Sequence, residues 1–119
     1  MPDRPAAITR LSTLLAEATI AHGAIFDLHR RLLVRGRTGT DSAGLLAESA
    51  RIATMRLPAL AAPLGRLATR WDEESLLDPQ AADSTAREIA ARLAAVEPEM
   101  RSLLARQSEI AAKLRARLA

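Results

Sequence analysis

The sequence predicts an all-α protein in which long amphipathic helices pack on one another. Alanine and leucine, the strongest helix formers, dominate the chain, and aromatic residues make up only 2% of it. In three separate segments, apolar residues recur at alternating steps of three and four, the spacing of a coiled-coil-like seam. We therefore expect residues 1–119 to form a single domain, an antiparallel bundle of three long, proline-kinked helices or of four helices.

The first helix is predicted over about residues 6–35. It should stop near Gly36, which suits a C-terminal cap, and residues 36–40 then form a loop. A second stripe beside the seam, made by Ile8, Leu15, His22 and His29, widens its apolar face. The seam itself consists of Leu11, Leu14, Ala18, Ala21, Ile25, Leu28 and Leu32.

The second helix is predicted over about residues 41–71, with Thr40 or Asp41 as its N-cap. Pro58 and Pro63 fall inside it, and each lacks an N–H and crowds the carbonyl four residues earlier. We expect a kink or a break at residues 55–63, with the seam in register on both sides. That seam consists of Leu46, Ala50, Ala53, Leu57, Leu60, Leu64, Leu67 and Trp71.

The third helix is predicted over about residues 84–118, after a connecting loop at about 72–83. Leu77-Asp78-Pro79 indicates a turn, because the residue before a proline avoids the helical region. Asp83, Ser84 or Thr85 is expected to cap the helix, and Pro98 to bend it. Its seam consists of Ile89, Leu93, Val96, Met100, Leu103, Gln107, Ile110 and Leu114.

The composition and charge of the chain exclude several classes of function. The chain has no cysteine, which excludes disulfides and thiolate metal sites. No secretory signal pattern and no apolar run of the ~20 residues needed to span a membrane are present, so a cytoplasmic location is expected. Residues 72–100 are acidic and lie between two basic segments. An acidic segment repels phosphate, so we expect no nucleic-acid partner.

We find no pattern typical of a catalytic, cofactor or metal site. His22 and His29 lie seven residues apart on one helix, about 10.5 Å along its axis, too far to share a metal ion. Residues 36–40 lack the ending of a phosphate-binding loop. The run Asp72-Glu73-Glu74 is interpreted as a solvated charge cluster.

Three sequence segments resemble the flagellar export chaperones of the FliT/FlgN type. They are Leu45-Leu46 with Leu57-Pro58-Ala59-Leu60, Glu99-Met100-Arg101-Ser102-Leu103-Leu104, and Gln107-Ser108-Glu109-Ile110, and the resemblance extends over about residues 6–118. Those chaperones are small cytoplasmic helical proteins that hold export subunits through the subunits' helical ends. The resemblance implies a non-enzymatic chaperone.

The leading hypothesis is therefore a helical binding protein that docks an amphipathic client helix on an apolar stripe. One alternative is a self-associating structural or adaptor protein; another is a small helical enzyme or sensor domain using His22 or His29. Gln107 is a polar seam residue of the kind that fixes register. The candidate partner-binding residues are Leu103, Leu104, Ile110, Leu114 and Trp71.

Overall fold

The computed structural model describes residues 3–37 and 39–119. Four α-helices cover nearly all of them: α1 (Ala6–Val34), α2 (Thr40–Arg51), α3 (Leu57–Leu77) and α4 (Pro79–Leu118). A π-helical turn, Ile52–Arg56, joins α2 to α3 without interruption. No strand occurs in these ranges, so the predicted all-α class is confirmed. The helix count differs from both expectations, because four helices and one π turn form three continuous rods.

The three rods lie side by side along a molecule of 59 × 24 × 19 Å. Rod 1 is α1, rod 2 runs from α2 through the π turn to α3, and rod 3 is α4. Rod 2 is antiparallel to rod 1, since Arg4 pairs with Asp72 and His22 contacts Ser49. Rods 1 and 3 are parallel: the Ala18 carbonyl accepts from Gln107, and the Leu118 carbonyl accepts from Arg35.

Helix α1 ends in a Schellman motif, as the position of Gly36 predicts. Gly36 has φ 63°, a left-handed conformation that glycine adopts without strain. The Arg37 N–H donates to the Leu32 carbonyl at 2.9 Å, and the Gly36 N–H donates to the Leu33 carbonyl at 3.0 Å. Thr38, in the predicted loop, lies outside the described residues, and so do Met1 and Pro2.

Of the kink or break predicted at residues 55–63, the break does not occur: the helix is continuous, with a π turn at Ile52–Arg56 just before Pro58. The Leu57 N–H donates to the Ile52 carbonyl, five residues back. This wider turn lets the helix pass a proline that lacks an N–H and would crowd the Thr54 carbonyl. Pro58 then lies in the first turn of α3, where prolines are tolerated, and Pro63 is accommodated inside it.

The π turn also shifts the buried face of rod 2. The predicted seam runs in register through Leu46, Ala50 and Ala53, but these three residues are only half-buried. Ser42, Ser49 and Ile52 are buried in their place. The buried positions then step by five residues to Leu57, since a π turn adds one residue to the helix.

The connection predicted as a loop at residues 72–83 is a single residue in the structure. α3 continues to Leu77 and α4 begins at Pro79, so Asp78 alone connects them. Asp78 caps α4 by accepting from the Ala81 N–H at 3.3 Å, and Pro79 supplies a φ suited to the first helical turn. The predicted turn at 77–79 is confirmed, whereas Asp83, Ser84 and Thr85 are helical residues and not caps.

The core divides into two clusters. A large cluster fills the half of the molecule around the 77–79 turn, and a small cluster fills the other half. Between them lies a polar layer of Gln107 and Ser49, both fully buried, with half-buried His22 at its edge. The small cluster consists of Ile25, Leu28, Leu32, Ile110, Ala111 and Leu114.

Candidate functional site

The residues predicted to bind a partner lie mainly in the core. Ile110 and Leu114 are fully buried in the small cluster, and Leu103 and Trp71 are buried in the large cluster. Leu104 is half-buried against the large cluster. These residues do not form the exposed stripe that the sequence suggested, because rods 1 and 2 cover the seam of α4. A partner would have to displace a rod to reach them.

An exposed apolar stripe lies instead on the flank of α1. Phe26 is 49% exposed and Leu33 is 54% exposed, and both lie beside half-buried Leu15, His22 and His29. These five residues are spaced by seven, four, three and four positions, so they share one side of the helix. A helical stripe of this kind, in the solvent-facing groove beside a neighbouring rod, is able to receive another helix.

Rod 2 forms the other wall of this groove. His22 Nδ1 lies 3.0 Å from Ser49 Oγ, which places the flank of α1 directly against α2. Leu46, Ala50 and Ala53 are half-buried on the adjacent face of rod 2. We call these eight residues the flank groove: Leu15, His22, Phe26, His29, Leu33, Leu46, Ala50 and Ala53.

Arg30 lies within one helical turn of Phe26 and Leu33 on α1. It is exposed and forms no ion pair with any residue of the described part of the chain. Glu48 and Asp41 of α2 face α4 instead, where they pair with Arg106 and Arg117. The flank groove is therefore an apolar surface with one unpaired arginine, Arg30, at its rim.

His22 and His29 both lie half-buried in the flank groove. His22 is held by Ser49, which also lies within hydrogen-bond distance of Gln107. His29 Nδ1 is buried without a hydrogen-bond partner. In the described ranges no three histidine or carboxylate side chains are grouped to hold a metal ion. No helix in those ranges is long and apolar enough to cross a bilayer.

Ion pairs join α4 to α1 and to α2. Hydrogen bonds from Arg106 hold the pKa of Glu48 below its ordinary value, and Arg117 does the same to the pKa of Asp41. Arg10 and Arg101 lower the pKa of Glu97, which joins α1 to α4. Each of these carboxylates binds its arginine only when ionised.

These lowered pKa values predict a loss of stability in acid. A carboxylate with a depressed folded-state pKa stabilises the fold above its unfolded pKa, and the effect disappears as pH falls through the folded pKa. The melting temperature should therefore decrease once the pH drops below about 4.5, the ordinary pKa of Glu48. Thermal melts from pH 7 to 3 measure this fall.

Glu48→Gln should lower the melting temperature at pH 7 and reduce its fall in acid, because the ionised partner of Arg106 is gone. Glu99→Gln is the matched control, since Glu99 is exposed and outside the ion pairs of the described residues. An equal acid-induced fall in wild type and Glu48→Gln would show that this pair contributes nothing.

Sequence reasoning missed Phe26 and Leu33, although their signal was present. Leu15, His22 and His29 repeat every seven residues. Phe26 and Leu33 lie on the same side of α1, at steps of three and four residues from His22 and His29. Comparison with protein families, curated proteins and solved structures finds no match to this chain.

Proposed function

We propose that this protein is a non-enzymatic, cytoplasmic helix-binding chaperone that holds an amphipathic helix of a client in the flank groove. The observation that carries the proposal is the pair Phe26 and Leu33, both about half exposed in the apolar stripe on the flank of α1. A client helix would bury both side chains and add one more helix to the coiled-coil-like packing of rods 1 and 2.

Arg30 indicates the chemistry of the client. A helix whose apolar stripe is flanked by aspartate or glutamate places a carboxylate near Arg30. Such pairs at the rim mainly accelerate association and set orientation, while the buried apolar contacts supply affinity. The sequence resemblance to the FliT/FlgN export chaperones supports a client among the secreted flagellar or related export subunits, held at a helical end.

Photo-crosslinking inside cells tests the proposal at single positions. A photoreactive phenylalanine analogue at Phe26 or Leu33 should label a protein with an acidic amphipathic terminal helix, and that helix as a purified peptide should bind the chain. The analogue at Ile20 is the control. Ile20 is 72% exposed on α1, about 120° around the helix from Phe26.

The matched variants measure the contribution of the groove. Phe26→Asp and Leu33→Asp should each weaken peptide binding by about tenfold or more, because a charge would replace a buried apolar contact. Ile20→Asp makes the same change outside the groove and should leave binding unchanged. Equal labelling at residues 20 and 26, or unchanged binding of Phe26→Asp and Leu33→Asp, refutes this site.

A further inference from the structure

The two ends of the molecule carry opposite charge. The acidic tip comprises residues 3–6 and 70–87, and it holds six carboxylates and three arginines. The basic tip comprises residues 30–37, 39–41 and 109–119, and it holds seven basic side chains and two carboxylates. The long axis of 59 Å separates the tips by several Debye lengths, so each presents its own field to its surroundings.

Each tip also exposes an adjacent pair of large apolar side chains. Leu33 and Val34 end α1 at the basic tip, where Val34 is 89% exposed. Leu76 and Leu77 end α3 at the acidic tip, where Leu77 is 85% exposed. Single exposed leucines are ordinary on protein surfaces, but paired ones at both ends of a rod supply a hydrophobic contact at each end.

The acidic tip is concave. A cavity of about 360 Å³ opens there between the start of α1 and the 77–79 turn. Trp71, Pro5 and Pro79 contribute its apolar wall, and Asp3 and Asp83 contribute carboxylates. An aliphatic stem ending in a guanidinium fits such a lining, because the stem packs on apolar surface while the charged head meets a carboxylate.

We propose that copies of this chain associate end to end, with the basic tip of one copy against the acidic tip of the next. The occupant of the acidic tip is thus a second copy, selected by charge complementarity and by the apolar pair that each tip offers. The contact is heterologous: it joins two different surfaces, so every added copy leaves one tip of each kind free. Rods joined along their long axes form an open chain instead of a closed ring.

The cross-section of the rod limits the strength of this contact. The two short dimensions, 24 and 19 Å, allow about 450 Å² per partner, which is about 900 Å² in total and in the range of weak, transient interfaces. Association should therefore depend on protein concentration and weaken steeply with salt. Leu33 and Arg30 of the basic tip also belong to the flank groove or its rim, whereas the acidic tip contains no groove residue, so the acidic-tip variants test this inference independently of a client helix.

Sedimentation equilibrium on the full chain tests the proposal. At ~20 mM salt, the average mass should rise continuously past that of a dimer as concentration increases toward ~1 mM, and at ~500 mM salt it should return to that of a monomer. Glu73→Arg with Asp83→Arg disables the acidic tip, and Arg31→Glu with Arg115→Glu disables the basic tip. All four residues are exposed and outside the ion pairs of the described residues.

Mixing the two double variants gives the decisive result. Each alone should remain monomeric, whereas the mixture should associate, because each variant supplies the intact tip that the other lacks. Matched controls at mid-rod, Glu17→Arg with Glu99→Arg and Arg56→Glu with Arg66→Glu, should associate as the wild type does.

Three results would overturn the proposal. The first is a wild-type chain that stays monomeric at ~1 mM and low salt. The second is a salt-resistant dimer that the tip variants leave intact, since that dimer would use the sides of the rods. The third is a mixture of tip variants that remains monomeric.

Discussion

Replacing Ile110 with alanine is expected to lower the free energy of unfolding by about 2–5 kcal/mol. Ile110 is fully buried in the small cluster, among Ile25, Leu28 and Leu114. Alanine removes the apolar contacts of the longer side chain and leaves a cavity that straight, long helices are poorly able to close. The small cluster has few members to share the loss, so the effect should lie in the upper part of that range.

Urea unfolding followed by Trp71 fluorescence measures the change, because Trp71 is the only tryptophan and lies in the large cluster. Ile20→Ala is the control, since Ile20 is 72% exposed on α1 and its truncation should cost less than about 0.5 kcal/mol. If Ile110→Ala cost no more than Ile20→Ala, the small cluster would not be a core and α4 would be open at this end.

The same substitution separates two interpretations of the α4 seam. The sequence assigned Leu103, Ile110 and Leu114 to a partner, but in the folded chain they stabilise contacts with rods 1 and 2. Periodicity predicts that a helical face is buried, but it carries no information about whether its cover comes from the same chain or another. Only the three-dimensional packing distinguishes an occupied seam from a free one.

The elements that followed from local chemistry were predicted well. α1 and its glycine cap follow from uninterrupted apolar spacing and from the single left-handed residue that ends it. The turn at Leu77-Asp78-Pro79 follows from the restriction that proline imposes on the residue before it.

The errors arose where tertiary packing overrides local preference. Residues 72–77 were predicted to form part of a loop, yet they are helical, and neighbouring groups hold them. Glu74 pairs with Arg70 and accepts a hydrogen bond from buried Thr85, which fixes the end of α3 against α4. The π turn was equally hidden, since Pro58 predicts a disturbance but not the extra residue that absorbs it.

The polar layer between the two clusters has a cost and a function. Gln107 Nε2 donates to the Ala18 carbonyl at 3.2 Å and lies 3.4 Å from the Ser49 carbonyl, but Oε1 has no partner. A buried orphan acceptor destabilises the fold by about 1–3 kcal/mol. In return, the amide meets its partners in only one register of α4 against rods 1 and 2, as polar seam residues do in coiled coils.

Gln107→Leu should therefore raise the free energy of unfolding by about 1–2 kcal/mol, whereas Gln107→Ala should lower it by about 2–4 kcal/mol. Leucine fills nearly the same volume and removes the orphan oxygen. The groups that Gln107 contacts keep other hydrogen-bond partners. The Ala18 carbonyl lies inside α1, and the Ser49 carbonyl also accepts from the Ile52 N–H. Ser49 Oγ keeps its contact with His22. Alanine removes the same hydrogen bonds but leaves a cavity at a fully buried position.

Urea unfolding of both variants measures the difference, and amide line widths in NMR spectra of Gln107→Leu report whether α4 still occupies one register. A less stable leucine variant would show that the hydrogen bonds of Gln107 outweigh its unsatisfied oxygen, and the polar layer would then be a source of stability as well as of register.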